Sequence, residues 1–168
     1  MTTGDRTKLL QKQAPIVFRP TSLTWKGRSW IVRDTEGAPG INYWSADCVR
    51  VDTNDWLRLQ VKTNSGTWYN GQVESGDTLS FGTYRWHTVG RVDLLDSNVV
   101  GNLSVYANVT HELDIQFADA YDDEPTNFSY VVQPYYLADH RSASAETLTN
   151  LYTTHEFSWS PRTVAFRS

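Results

Sequence analysis

An all-β sandwich or barrel is the fold class this sequence predicts, and three observations carry that prediction. From about residue 16 the chain breaks into short runs in which apolar and polar residues alternate, the period of side chains on a strand. Clusters of turn residues separate the runs: Gly37-Ala38-Pro39-Gly40, Asn64-Ser65-Gly66, Ser75-Gly76-Asp77 and Asp96-Ser97-Asn98. Only Ala143 to Leu151 can be read as a helix, and it lacks an apolar stripe.

Residues 1–15 are polar and basic with no period and read as a flexible lead-in. Residues 16–168 read as a single domain. Within it Ser29-Trp30-Ile31-Val32-Arg33, Trp56 to Val61, Leu103-Ser104-Val105-Tyr106, Glu112 to Phe117 and Tyr130 to Tyr136 all alternate. Together with weaker runs they predict about eleven or twelve strands. The chain ends at Phe166-Arg167-Ser168 in a strand-like run.

With 39 % hydrophobic and 13 % aromatic residues, the chain can bury a sizeable core, which argues against disorder. A net charge of −4 argues against nucleic-acid and anionic-membrane partners. No apolar run approaches the roughly 20 residues of a membrane span. One cysteine, Cys48, excludes an intrachain disulfide and reads as a small core residue. The N-terminus has no apolar signal core, so the expectation is a cytoplasmic chain or one whose leader is not in this sequence. Asn-x-Ser/Thr triplets start at Asn102, Asn108 and Asn127, but such triplets arise often by chance.

The most informative segment is Glu112-Leu113-Asp114-Ile115-Gln116-Phe117. Its alternation predicts an apolar face on a core and an acidic face on an open, solvent-facing surface. Neighbouring carboxyls repel, which raises at least one pKa, as acid–base chemistry requires. Residues i and i+4 on a strand have Cα atoms about 13 Å apart. Long side chains leaning together bring head groups to about 5–6 Å, near the separation used by retaining glycosidases.

This segment resembles the catalytic strand of glycoside hydrolase family 16, the laminarinase, licheninase and agarase group, whose signature is Glu-x-Asp-x-Glu. The resemblance extends over roughly residues 20–166. Gly40-Ile41-Asn42-Tyr43-Trp44, Gly71-Gln72-Val73-Glu74-Ser75, Val131-Val132-Gln133-Pro134-Tyr135 and His155-Glu156-Phe157-Ser158-Trp159-Ser160-Pro161 are similar to family segments and occur in family order. It implies a two-sheet antiparallel jelly-roll sandwich of the concanavalin A-like type, a β-linked polysaccharide or oligosaccharide partner, no cofactor, and a secreted protein. The family's last strands have no counterpart here, so the expectation is a fragment or a shorter variant. A fragment would leave an open sheet edge through which copies can associate.

Carried across, the resemblance makes Glu112 the nucleophile and Asp114 its helper. Position 116 departs from the pattern: Gln116 stands where the family has its acid/base Glu. An amide has no titratable proton, so Gln116 cannot protonate a leaving oxygen. Three readings follow: a retaining endo-β-glycosidase with impaired activity, a non-catalytic lectin-like module, or an active enzyme silenced on purpose. Trp44, Trp68, Tyr69 and Tyr135, beside the polar Asn42, Gln72, Glu74 and Gln133, are the candidate sugar-stacking and sugar-binding residues. Trp25, Trp30, Trp56 and Trp159 read as core.

His111 reads as a core-edge histidine, and His155 as sharing a face with Phe157 and Trp159. No Cys/His set has zinc spacing. The acidic run Asp119-Ala120-Tyr121-Asp122-Asp123-Glu124 lacks calcium-loop spacing and reads as a solvated loop.

Overall fold

The computed structural model describes residues 21–118 and 126–168. The lead-in and the acidic run from Asp119 to Glu124 lie outside the described residues. Among the described residues there are sixteen strands and two short 3-10 turns, Ala46–Cys48 and Val92–Leu94. The strands outnumber the runs visible in the sequence because several are only three residues long, too short to show a period. No helix is long and apolar enough to cross a membrane. The chain divides into two compact units, Met1–Thr78 and Leu79–Ser168.

In the first unit β1 (Thr21–Trp25), β2 (Arg28–Val32) and β9 (Val73–Ser75) form one antiparallel sheet. Four more strands form a second: β3 (Thr35–Gly37), β4 (Asn42–Trp44), β8 (Thr67–Asn70) and β7 (Val61–Asn64), in that order. Strands β5 (Val49–Val51) and β6 (Leu57–Leu59) make a hairpin. Its turn is held by Asp52, whose carboxylate accepts from Asn54 N and Trp56 N and pairs with Arg58 at 2.7 Å. Cys48 is buried, as its composition suggests. Gly71 lies against it: a Cβ there would sit 2.6 Å from the Cys48 carbonyl oxygen. That carbonyl is already pinned by Gln60 N–H at 2.9 Å, so the backbone cannot yield cheaply.

The second unit is a two-sheet sandwich. One sheet runs β11 (Gly101–Asn108), β12 (His111–Phe117), β13 (Phe128–Val132), β14 (Arg141–Ser144). The other runs β10 (Gly82–Val89), β15 (Tyr152–Trp159), β16 (Val164–Arg167). Every pairing in both sheets is antiparallel. Leu113, Ile115, Phe117 and Phe128 from the first sheet meet Phe157 from the second in the buried core. Aromatic contacts cross between them: Phe117 to His155 at 4.8 Å and Tyr130 stacked on Phe166 at 4.8 Å. His155 is only 2 % exposed and does share the face of Phe157. Burial pulls its pKa below 6.5, so the ring stays neutral. Hydroxyls of Thr88, Thr153 and Ser168 satisfy its two nitrogens at 2.8–3.2 Å.

Several sequence expectations are corrected here. Residues 143–151 form no helix. Glu146 N–H donates to Asn127 Oδ1 at 2.8 Å and Leu148 N–H to Asp93 Oδ2 at 3.1 Å, so tertiary acceptors replace the helical ones. Arg91 grips the same Asp93 carboxylate at 2.6 and 2.7 Å and lowers its pKa to about 2. Trp25, Trp30 and Trp56 are half-buried, not fully enclosed, whereas Trp159, also half-buried, packs against the core cluster as expected. His111 is exposed at the start of β12, where Asn108 and Thr110 engage its Nδ1 at 3.0 Å.

Two substitutions test this packing. Ile115→Ala removes a side chain with no exposure and is expected to cost about 2–5 kcal/mol, read from urea unfolding. Gly71→Ala forces a Cβ into a carbonyl oxygen. It is expected to lower the melting temperature, whereas Gly66→Ala, with open space around its Cβ, feels only its positive φ.

Candidate functional site

The register of the second unit's four-stranded sheet builds the site. With Leu113, Ile115 and Phe117 committed to the core, Glu112, Asp114 and Gln116 must point to the opposite face. Their cross-strand partners on β11 are Tyr106, Ser104 and Asn102. On β13 Val131 faces Asp114 and Ser129 faces Gln116. Gln133 follows that strand and donates its N–H to the Glu112 carbonyl at 2.9 Å. One face therefore gathers all three residues expected to do chemistry.

That face is not the open surface the alternation suggested. Glu112 is half-buried, Gln116 is 8 % exposed and Asp114 is completely enclosed. Tyr106, Ser104 and Asn102 on β11 and Val131 and Ser129 on β13 flank the three residues, and Asp114 at the centre is the one fully enclosed. Asn102 Nδ2 donates to Asp114 Oδ1 at 2.9 Å. The other oxygen, Asp114 Oδ2, is buried and accepts no hydrogen bond from the described residues.

The electrostatics follow from this enclosure. Burial raises the Asp114 pKa, opposed by contacts with the Asn102, Glu112 and Gln133 side chains. Glu112 is driven higher, to about 8, first by burial and then by the Asp114 carboxyl beside it. With its pKa raised to about 8, Glu112 is protonated at neutral pH. A protonated Glu112 is also the donor that Asp114 Oδ2 requires.

Beyond the acids, Gln116, Val131, Gln133, Tyr135 and Arg141 line a cavity of about 80 Å³. Gln133 Oε1 accepts from Tyr135 N–H at 3.1 Å, which orients the amide. Tyr135 is 54 % exposed, so its ring is available at the rim. Asn102 and Arg141 were missed by sequence reasoning. The alternation Asn102-x-Ser104-x-Tyr106 was the available signal for Asn102. Arg141 had none, because β14 is short and carries no pattern.

The other sequence candidates lie in the first unit, where Trp44, Gln72 and Glu74 are linked through Arg33. Arg33 stacks over the Trp44 ring at 4.8 Å and donates to Gln72 Oε1 at 3.0 Å. Gln72 Nε2 in turn donates to Glu74 at 2.9 Å. Asn42 accepts from Asn70 at 3.2 Å, and its own amide donates to the Pro39 carbonyl. Trp44 Nε1 donates to the Gly37 carbonyl at 3.3 Å. Trp68, two residues before Asn70 on β8, is 62 % exposed. Arg33 is the linking residue that the sequence did not single out.

Comparison with solved structures settles the architecture. A prokaryotic β-1,3-1,4-glucanase (lichenase) derived from a mouse hindgut metagenome superimposes with a TM-score of 0.63. It shares 16 % identity, over 85 % of this chain and 70 % of its own. The fold is a concanavalin A-like jelly-roll sandwich. A Bacillus licheniformis β-glucanase matches with the same TM-score at 19 % identity, covering 90 % of this chain and 72 % of that one. A native glycosidic hydrolase matches at 0.54 and 18 % identity, over 92 % and 74 %. At such identities the likeness is one of fold. No family model and no curated protein matches the chain.

The carboxyl pair makes a prediction about stability. The folded pKa of Glu112 lies above its ordinary 4.5, so the native state holds a proton that the unfolded chain releases. Its contribution is complete below about 4.5 and disappears as pH rises through about 8. The melting temperature should therefore fall across that alkaline limb. Glu112→Gln, which keeps a donor and cannot ionise, should flatten it. An unchanged limb in the variant would assign the titration to another group.

Proposed function

We propose that this protein recognises β-linked glycan over the polar face of β12 and that it descends from a family-16-type retaining glycosidase whose turnover is disabled at Gln116. One observation carries the reading. An enclosed carboxyl pair, Glu112 and Asp114, stands on the same strand face as an amide in the place of the proton donor. The order of family-like segments and the fold shared with two β-glucanases support it.

The chemistry of retention assigns the roles. Glu112 attacks the anomeric carbon, and a covalent glycosyl-enzyme forms. The group at 116 protonates the departing oxygen and then activates water. Gln116 does neither, since its amide has no proton to give at physiological pH. Asp114, held by Asn102, takes the hydrogen bond of protonated Glu112 before the reaction and so favours the protonated form of Glu112. Glu112 must also lose its proton before it attacks, which adds a second restraint at neutral pH. Tyr135 at the rim supplies a ring face for a sugar, and Gln133 an oriented amide. On this reading the protein binds polysaccharide and leaves it intact.

Gln116→Glu discriminates a disabled enzyme from a binding module. Restoration is expected to raise hydrolysis of laminarin or lichenan by about 10²–10⁴-fold, the usual worth of acid–base assistance. In the parent protein an aryl glycoside with a very good leaving group needs no acid. It is expected to label Glu112 and stay attached, with the labelling rate rising toward pH 8 as Glu112 ionises. Mass spectrometry reads the adduct. A Gln116→Glu protein that binds glycan and remains inert on laminarin, lichenan, agar and carrageenan makes this a lectin-like module. Normal polysaccharide cleavage by the parent protein would remove position 116 from the acid/base role.

A further inference from the structure

The sheet formed by β10, β15 and β16 has an outer face that the proposed function does not use. Alternation turns Tyr84, Trp86, Phe157 and Phe166 toward the core and sends Arg85, Glu156 and Arg167 outward. Register places these three side by side, Arg85 opposite Glu156 and Glu156 opposite Arg167. A groove of about 370 Å³ runs over them, lined also by His87, Thr154 and Ser168.

The charges in that groove do not cancel. Arg85 Nε pairs with Glu156 at 2.7 Å, which accounts for the one anion. The Glu156 side chain is 19 % exposed and that of Arg85 55 %, so the anion is tucked in and the cation is presented. Arg167 has no ion pair or hydrogen-bond partner for its guanidinium among the described residues. The row is thus net positive on a chain of net charge −4. One step along the strands, His87 Nδ1 and Thr154 Oγ1 bond at 3.0 Å and add a hydroxyl-compatible row about 7 Å away.

We propose that this outer face is a second binding site, for an acidic sugar polymer that carries carboxylate or sulfate groups. The oxyanion sits between Arg85 and Arg167, and the sugar hydroxyls meet His87 and Thr154. A polymer with both kinds of group, lying along the strands, matches the alternation of a charged row and a hydroxyl row. The site is independent of Glu112 and of the fate of Gln116.

Affinity electrophoresis of the full chain tests it, with polygalacturonate, dextran sulfate and neutral dextran in separate gels at low salt. Retardation by polygalacturonate, dextran sulfate or both is expected, and the arm that responds names the oxyanion. Neutral dextran should have no effect, and added salt should abolish binding. Arg167→Glu should weaken it at least 10-fold and Arg167→Ala less so, both with unchanged melting curves. Arg50→Glu, an exposed residue of β5 with the same change in net charge, should leave it intact. Glu112→Gln should also leave it intact, which separates this site from glycan over β12. The proposal is overturned if neither acidic polymer retards the protein, if Arg50→Glu costs as much as Arg167→Glu, or if inorganic polyphosphate binds as tightly as the acidic sugars.

Discussion

Strand β12 bears the constraint on which the second unit depends. Its residues alternate without interruption, so one choice places all six side chains from Glu112 to Phe117. Burying Leu113, Ile115 and Phe117 against Phe157 commits the other three to the far face. A slip of one residue would push two carboxyls and an amide into an aromatic core, at a cost of several kcal/mol per uncompensated charge. The core thereby sets the geometry of the site. Core and chemistry are two faces of one strand.

Enclosure turns that geometry into an electrostatic device. On an open surface the two acids would both ionise near their ordinary values. Here burial is the largest influence on each of them; the Asp114 carboxyl then raises Glu112 further, while hydrogen bonds from Asn102, Glu112 and Gln133 hold Asp114 down. The pair resolves the conflict by keeping one proton, held on Glu112. Asn102 and Gln133 determine which acid stays charged, because amide donors favour the ionised form of Asp114. On the proposed reading, a protonated Glu112 beside an amide with no proton to transfer favours holding sugar over cleaving it.

The sandwich also carries a neutral histidine through its core. His155 is tolerated between the sheets because three hydroxyls satisfy its two nitrogens, and because the ring packs edge-on against Phe117. The loop at 145–151 shows the same rule elsewhere. Its backbone donors go to Asp93 and Asn127, so a segment that is short of apolar pattern is held by side-chain acceptors and not by a helix.

The sequence alone determined the all-β class, the faces of β12 and the unusual amide at position 116. These are local properties: side-chain alternation has a period of two, and the chemistry of an amide does not depend on its surroundings. It also placed His155 with Phe157, from spacing along a single strand. Only the tertiary structure decided that Asp114 and Gln116 on the acidic face are buried, since that depends on what β11 and β13 bring beside them. Asn102, Gln133 and Arg141 reach the site from separate strands and turns, and cross-strand register cannot be read from one strand's pattern. The same holds for Arg33, which links Trp44 to Gln72 across 39 positions of sequence between donor and acceptor. Burial, and with it the proton on Glu112, is a property of neighbours that meet only when the chain is folded.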